Sequence, residues 1–177
     1  LQHLSAGPIR ASLETRLQST RAIQSVLVGE SGAALQVLGP LLAAHPSATV
    51  ERSCLLAARS LVHLQSRLLG DAAADAMESY ETANALGADY ARMNAAYHLA
   101  AIYSRAGMAA EAEKMVGAVI DYAGQERLLQ LQTIAAFLQA RVLNAAGEYD
   151  KALVAARRAR ELAMRSGSET SIAAATV

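Results

Sequence analysis

Residues 144–163, NAAGEYDKALVAARRARELA, carry more alanine than an ordinary amphipathic helix, and the alanines keep fixed distances from one glycine. Ala152, Ala156 and Ala159 follow Gly147 by five, nine and twelve residues. A glycine suited to a tight turn, then small residues at helical spacing, describes entry into a helix that lies close against another. The same frame set on Gly107 finds Ala112, Val116 and Val119. Set on Gly29 it finds Ala34, Leu38 and Leu41, with Pro46 seventeen residues on. A further copy has Ala76, Tyr80 and Ala83, and puts Asp71 where the glycine would stand. The leading alanines at 34, 76, 112 and 152 give spacings of 42, 36 and 40 residues.

Composition agrees with a helical repeat. Of 177 residues 53% are hydrophobic, yet only 4% are aromatic and Trp is absent, so Ala and Leu supply the apolar content. Both are strong helix formers. Three prolines and no long apolar–polar alternation leave no half-buried strands. Each copy of the frame follows a helical segment, at about 9–28, 49–68, 89–106 and 127–146. In the third, Ala96, Leu99, Ala100 and Tyr103 make one helical face; in the fourth, Ala136, Gln139, Ala140 and Leu143 repeat it. The predicted unit is helix, short turn, helix and link, over 9–46, 49–87, 89–124 and 127–166, within one domain, 1–177. Residues 168–177 read as the start of a further helix capped by Ser168, and both ends look cut from a longer protein. Large side chains at Ala140 or Ala152 would force the helices apart, while Leu99, Leu143, Leu153 and Leu162 are expected to fill the wider gaps.

The small residue at Ala140, Gly147, the aromatic Tyr149, Ala152 and Ala159 together resemble the tetratricopeptide repeat. Ala100, Tyr103, Gly107 and Ala112 match the same pattern in the third copy, and Pro46 sits where that repeat often closes. The resemblance implies an all-α fold, a right-handed α-α superhelix (solenoid) of about four antiparallel helix pairs. The spacings exceed the family's usual 34 residues and resemble the degenerate repeats of bacterial regulators and sensors, among them LuxR-type activators and multidomain diguanylate cyclases. HEAT and armadillo repeats run at about 40 to 47 residues but lack the small-residue frame.

Nothing in the sequence suggests catalysis, a cofactor or a metal. His3, His45, His63 and His98 are scattered, and H-E-x-x-H is absent. His45 precedes Pro46 at a helix end, where capping explains it, and His98 sits beside Tyr97 in a helix. Cys54 alone excludes an intrachain disulfide and reads as a small buried hydrophobe. VGESGAA is not G-x-S-x-G, and no G-x-x-x-x-G-K-[ST] occurs. Glu111, Glu113 and Asp150 gather at starts of second helices, where the helix dipole favours them. Arg157, Arg158, Arg160 and Arg165 spread around a solvated face with Glu161.

Function is then recognition. With 16 basic and 16 acidic residues there is no electrostatic footprint for nucleic acid or an anionic membrane, and no apolar run is long enough to span one. The resemblance implies a concave groove built from first helices. It places groove residues at Asn94, Tyr97, Ala101, Ser104 and Arg105, and at Ile134, Phe137, Arg141, Asn144 and Ala145. The expected site is Asn94, Tyr97, Arg105, Phe137, Arg141 and Asn144, although Tyr97 and Phe137 could equally pack between pairs. Tyr97 and Ala101 stand where a terminal-carboxylate clamp needs Lys and Asn, which speaks against a chaperone-tail binder. The expected partner is a protein or peptide segment, or a second copy of the chain, met in the cytoplasm, or in the periplasm for a membrane-bound sensor. The alternatives are a small-ligand sensor domain controlling an attached effector and, less favoured, an all-helical enzyme.

Overall fold

The computed structural model describes residues 8–27 and 30–166; Gly29 and the segment 168–177 lie outside them. Among the described residues there are eight helices and no strand. They are α1 (Pro8–Leu27), α2 (Ser31–Ala44), α3 (Val50–Gln65), α4 (Leu69–Ala85), α5 (Asp89–Arg105), α6 (Ala109–Gln125), α7 (Leu129–Ala145) and α8 (Tyr149–Ser166). The chain divides into two compact units, 1–95 and 96–177, with the boundary inside α5. In the first, α1 packs on α2, α2 on α3, α3 on α4, and α1 also on α3. In the second, α6 packs on α7 and α7 on α8. The class is the expected one: all-α, a solenoid-type succession of antiparallel helix pairs.

From α3 onward the turns share one geometry. Arg67, Gly87, Gly107, Arg127 and Gly147 all have positive φ, one every twenty residues. Around Gly87, the Gly87 N–H donates to the Asn84 carbonyl at 3.2 Å and the Ala88 N–H to the Ala83 carbonyl at 2.9 Å. This is the Schellman closure, which satisfies carbonyls at a helix end and needs a left-handed residue. The following residue starts the next helix: the Ala88 carbonyl accepts from the Arg92 N–H at 2.9 Å. Three-residue links of this kind make successive helices antiparallel neighbours.

This geometry corrects the register of the second pair. The left-handed residue there is Arg67, four residues before Asp71, so Ala72 and not Ala76 is the counterpart of Ala112 and Ala152. The repeat is 40 residues throughout this stretch. A positive φ on a non-glycine residue carries no compositional signal, which is why the spacing read as 42 and 36. The α2–α3 link is longer, and there the Thr49 side chain accepts from the Arg52 N–H at 3.1 Å, an N-cap.

The frame then predicts burial well. Ala72, Ala112 and Ala152 are buried, as are Ala76 and Val116, then Ser79, Val119 and Ala159, then Ala83, Ala123 and Ala163. In the last pair Leu143, Ala152 and Ala155 form one cluster with Ala140 against it, and Ala136, Ala159 and Leu162 form another. Leu99, Leu143 and Leu162 are buried as expected, but Leu153 is 52% exposed. Leu153 lies about 100° around the helix from Ala152, so it leaves the packed face. Its counterpart Glu113 is exposed too.

Candidate functional site

The expected binding residues occupy first helices. Asn94 and Tyr97 lie one turn apart on α5 and are half-buried, and Arg105 ends that helix exposed. Phe137, Arg141 and Asn144 follow one another along α7; Phe137 is half-buried and the other two are exposed. In the second unit the charge of Arg141 reaches Tyr97: burial pushes the Tyr97 phenol above its ordinary value, and Arg141 partly opposes that shift. Phe137 packs against Ala136, Ala159 and Leu162, so part of its ring serves the α7–α8 seam. Asn144 contributes its carbonyl to the α7–α8 turn, accepting from the Gly147 N–H at 3.1 Å, while its side-chain end of the helix stays exposed. Asn94 falls in the first unit and is tied to the others by helix position alone.

His98, next to Tyr97, meets that ring edge to face at 5.6 Å between centroids. It is buried where the frame carries Ala58 and Leu138, and its Nδ1 has no hydrogen-bond partner among the described residues. Burial lowers its pKa from 6.5 to about 4, so it is neutral at physiological pH. The arginines of α8 are exposed, as expected of a solvated face.

A polar cluster that the sequence reading missed lies in the first unit. Asp75, buried on α4, takes a bidentate pair from Arg59 on α3: Nε donates to Oδ2 at 2.7 Å and a terminal nitrogen to Oδ1 at 2.6 Å. His63, one turn after Arg59, brings Nε2 to 3.6 Å from the same Oδ2, and its Nδ1 is buried without a partner among the described residues. Two further side chains cross the same pair of helices. The Ser53 hydroxyl donates to the Ser79 carbonyl at 3.0 Å and the Ser79 hydroxyl to the Ser53 carbonyl at 2.8 Å. The signal was available: on a 40-residue frame Asp75 stands where Met115 and Ala155 stand, and His63 where Tyr103 and Leu143 stand. The cluster holds α3 to α4. With Nδ1 enclosed, His63 presents no free nitrogen to a substrate.

Cys54, expected to be buried, is half-buried and lines a cavity of about 190 Å³ between α1 and α3. Among the described residues no three His, Cys, Asp or Glu side chains gather as a metal site, and no described helix is long and apolar enough to cross a membrane. No protein-family model matches the chain, and no curated protein matches it.

Proposed function

We propose that the chain is a protein- or peptide-binding scaffold whose recognition face is carried by first helices, with Tyr97 and Arg105 on α5 and Phe137, Arg141 and Asn144 on α7, and Asn94 extending it along α5. One observation carries this reading: an exposed guanidinium, Arg141, sits close enough to a half-buried phenol, Tyr97, to act on its ionisation. Tyr and Arg are favoured anchors at protein interfaces. The helices that present them are locked by 40-residue packing and Schellman turns, so little order is lost on binding. The degenerate repeat fits the interaction module of a bacterial regulatory or signalling protein, acting in the cytoplasm.

The test starts from a phage-displayed library of random twelve-residue peptides selected on the full chain. Tyr97→Ala with Arg141→Ala is expected to weaken the selected peptides at least tenfold, since interface anchors are worth about 2 kcal/mol or more each. The melting temperature should hold. Equal affinity for the double variant would refute the assignment of this face.

A further inference from the structure

The α1–α2 pair carries the frame of the α3–α4 pair 38 residues earlier. Thr15, Ala22 and Ala34 are buried, as are Ser53, Ser60 and Ala72 at the equivalent places. In that register Arg21 stands for Arg59 and Val37 for Asp75. The guanidinium is kept and its carboxylate is replaced. Arg59 donates to both Asp75 oxygens, at 2.7 and 2.6 Å. The α1–α2 seam instead has an open cleft of about 460 Å³, lined by Gln18, Arg21, Gln36, Val37, Pro40 and Leu41. Arg21, exposed, is the one charge among the described lining residues. Val37, 37% exposed, forms an apolar wall with Pro40 and Leu41. Pro40 lies inside α2 and has no N–H, so the Gln36 carbonyl lacks the donor that a helix normally places four residues on. Both residues line the cleft, which therefore combines a fork of donors, a spare backbone acceptor and an apolar wall.

We infer that this cleft binds a glutamate side chain of an incoming peptide, whose carboxylate takes the place that Asp75 fills from within in the α3–α4 pair. Arg21 donates to the carboxylate as Arg59 does to Asp75, a pairing whose planar geometry suits guanidinium and carboxylate alone. The glutamate methylenes lie along Val37 and Leu41, and a peptide N–H donates to the Gln36 carbonyl. Asp75 reaches Arg59 from the helix backbone itself, whereas a visiting chain must reach past Val37, which favours the longer glutamate over aspartate. The site uses neither Tyr97 nor Arg141, so it goes beyond the recognition face of the first helices and stands or falls separately from it.

The arginine Nε–H signals of the full chain, followed by NMR, read occupancy directly, with the Arg21 signal identified by its loss in Arg21→Gln. The probe is the capped tripeptide acetyl-Ala-Glu-Ala-amide, compared with its Glu→Gln analogue and with acetyl-Ala-Ala-Ala bearing a free carboxyl terminus. For a ligand this small a dissociation constant on the order of 1 mM is expected. The Arg21 signal should shift and saturate with the glutamate peptide, and the glutamine analogue should bind at least about fivefold more weakly, as loss of a charged hydrogen bond requires. Val37→Asp rebuilds the internal pair of α3–α4 and should abolish binding while the melting temperature holds or rises. Arg21→Gln, at an exposed position, should lose the peptide without altering the melt, as read from the Gln18 and Gln36 side-chain amide signals. Absence of a shift, equal binding of the glutamine analogue, or binding retained in either variant would overturn the site. Equal shifts at the exposed arginines of α8 would mark general ion pairing and overturn it as well. Tighter binding of the free carboxyl terminus would overturn the assignment to a glutamate side chain.

Discussion

The α3–α4 pair and the α7–α8 pair occupy equivalent places in the frame, 80 residues apart, and are joined by opposite chemistry. Where α3 and α4 set Arg59, His63 and Asp75, α7 and α8 set Gln139, Leu143 and Ala155. Where Ser53 and Ser79 exchange hydrogen bonds, Thr133 bonds back to its own helix at the Leu129 carbonyl, 2.9 Å away, and Ala159 stands at the position of Ser79. The space filled by guanidinium and imidazole in the first pair is, in the second, an open cleft of about 520 Å³ lined by Gln139, Leu143, Ala155 and Arg158. One backbone frame thus accepts either solution. The polar one fixes which residues must meet, because a carboxylate left without its guanidinium is costly; the apolar one tolerates sliding at lower cost.

The comparison can be broken most forcefully at Asp75. Asp75→Ala leaves Arg59 and His63 facing a gap and should destabilise the protein by about 3 to 4 kcal/mol in denaturant titration, near the lower end for a broken buried pair because Arg59 can turn to water. Importing the whole second solution, Arg59→Gln with His63→Leu and Asp75→Ala, should recover most of that loss. If the triple variant were no more stable than Asp75→Ala, the two pairs would not be interchangeable solutions.

His98 sharpens the same comparison from the position between Ala58 and Leu138. Its folded-state pKa of about 4 lies below the ordinary 6.5, so the folded chain rejects the proton that the unfolded chain accepts. Its contribution is fully present above about pH 6.5 and is lost as pH falls toward 4, amounting to about 3 kcal/mol at pH 4. His98→Leu, the residue of the last pair, should flatten stability over that window. An unchanged acid slope in the variant would mean that His98 does not control it.

The smallest effects belong to the turns. Gly147→Ala should cost about 1 kcal/mol, since a Cβ there meets no atom within 4 Å and the penalty is that of a left-handed backbone alone. Arg67→Gly and Arg127→Gly should each gain up to about 1 kcal/mol for the same reason, less the entropy that glycine adds to the unfolded chain. Thermal melts of the three variants would read out this ordering, and a stabilising Gly147→Ala would contradict it.

What the sequence made legible was the part fixed by size and spacing. Gly107, Gly147, Ala112, Ala152 and Ala159 announce close helices because few other residues suit those places. Arg67 and Arg127 hid the true phase, since an arginine in a left-handed turn looks like any surface arginine. The Arg59–Asp75–His63 cluster was hidden differently. Its members are ordinary exposed types individually, and only the corrected 40-residue register shows them standing among apolar counterparts. The binding face was legible as positions on first helices; that Tyr97 and Arg141 interact required coordinates, because they lie on different helices.

The shared turn residues have a consequence for how such a chain can change length. Leu68, Ala88, Met108, Leu128 and Glu148 each donate, through the backbone N–H, the last closing bond of one helix and supply the first accepting carbonyl of the next. No spare residue stands between. One inserted or deleted residue in such a link would rotate the following helix by about 100° and turn its alanine face toward solvent. Growth or shrinkage is therefore quantised: whole helices of twenty residues, or whole pairs of forty, can be gained or lost in step, whereas single-residue drift in the links is closed off.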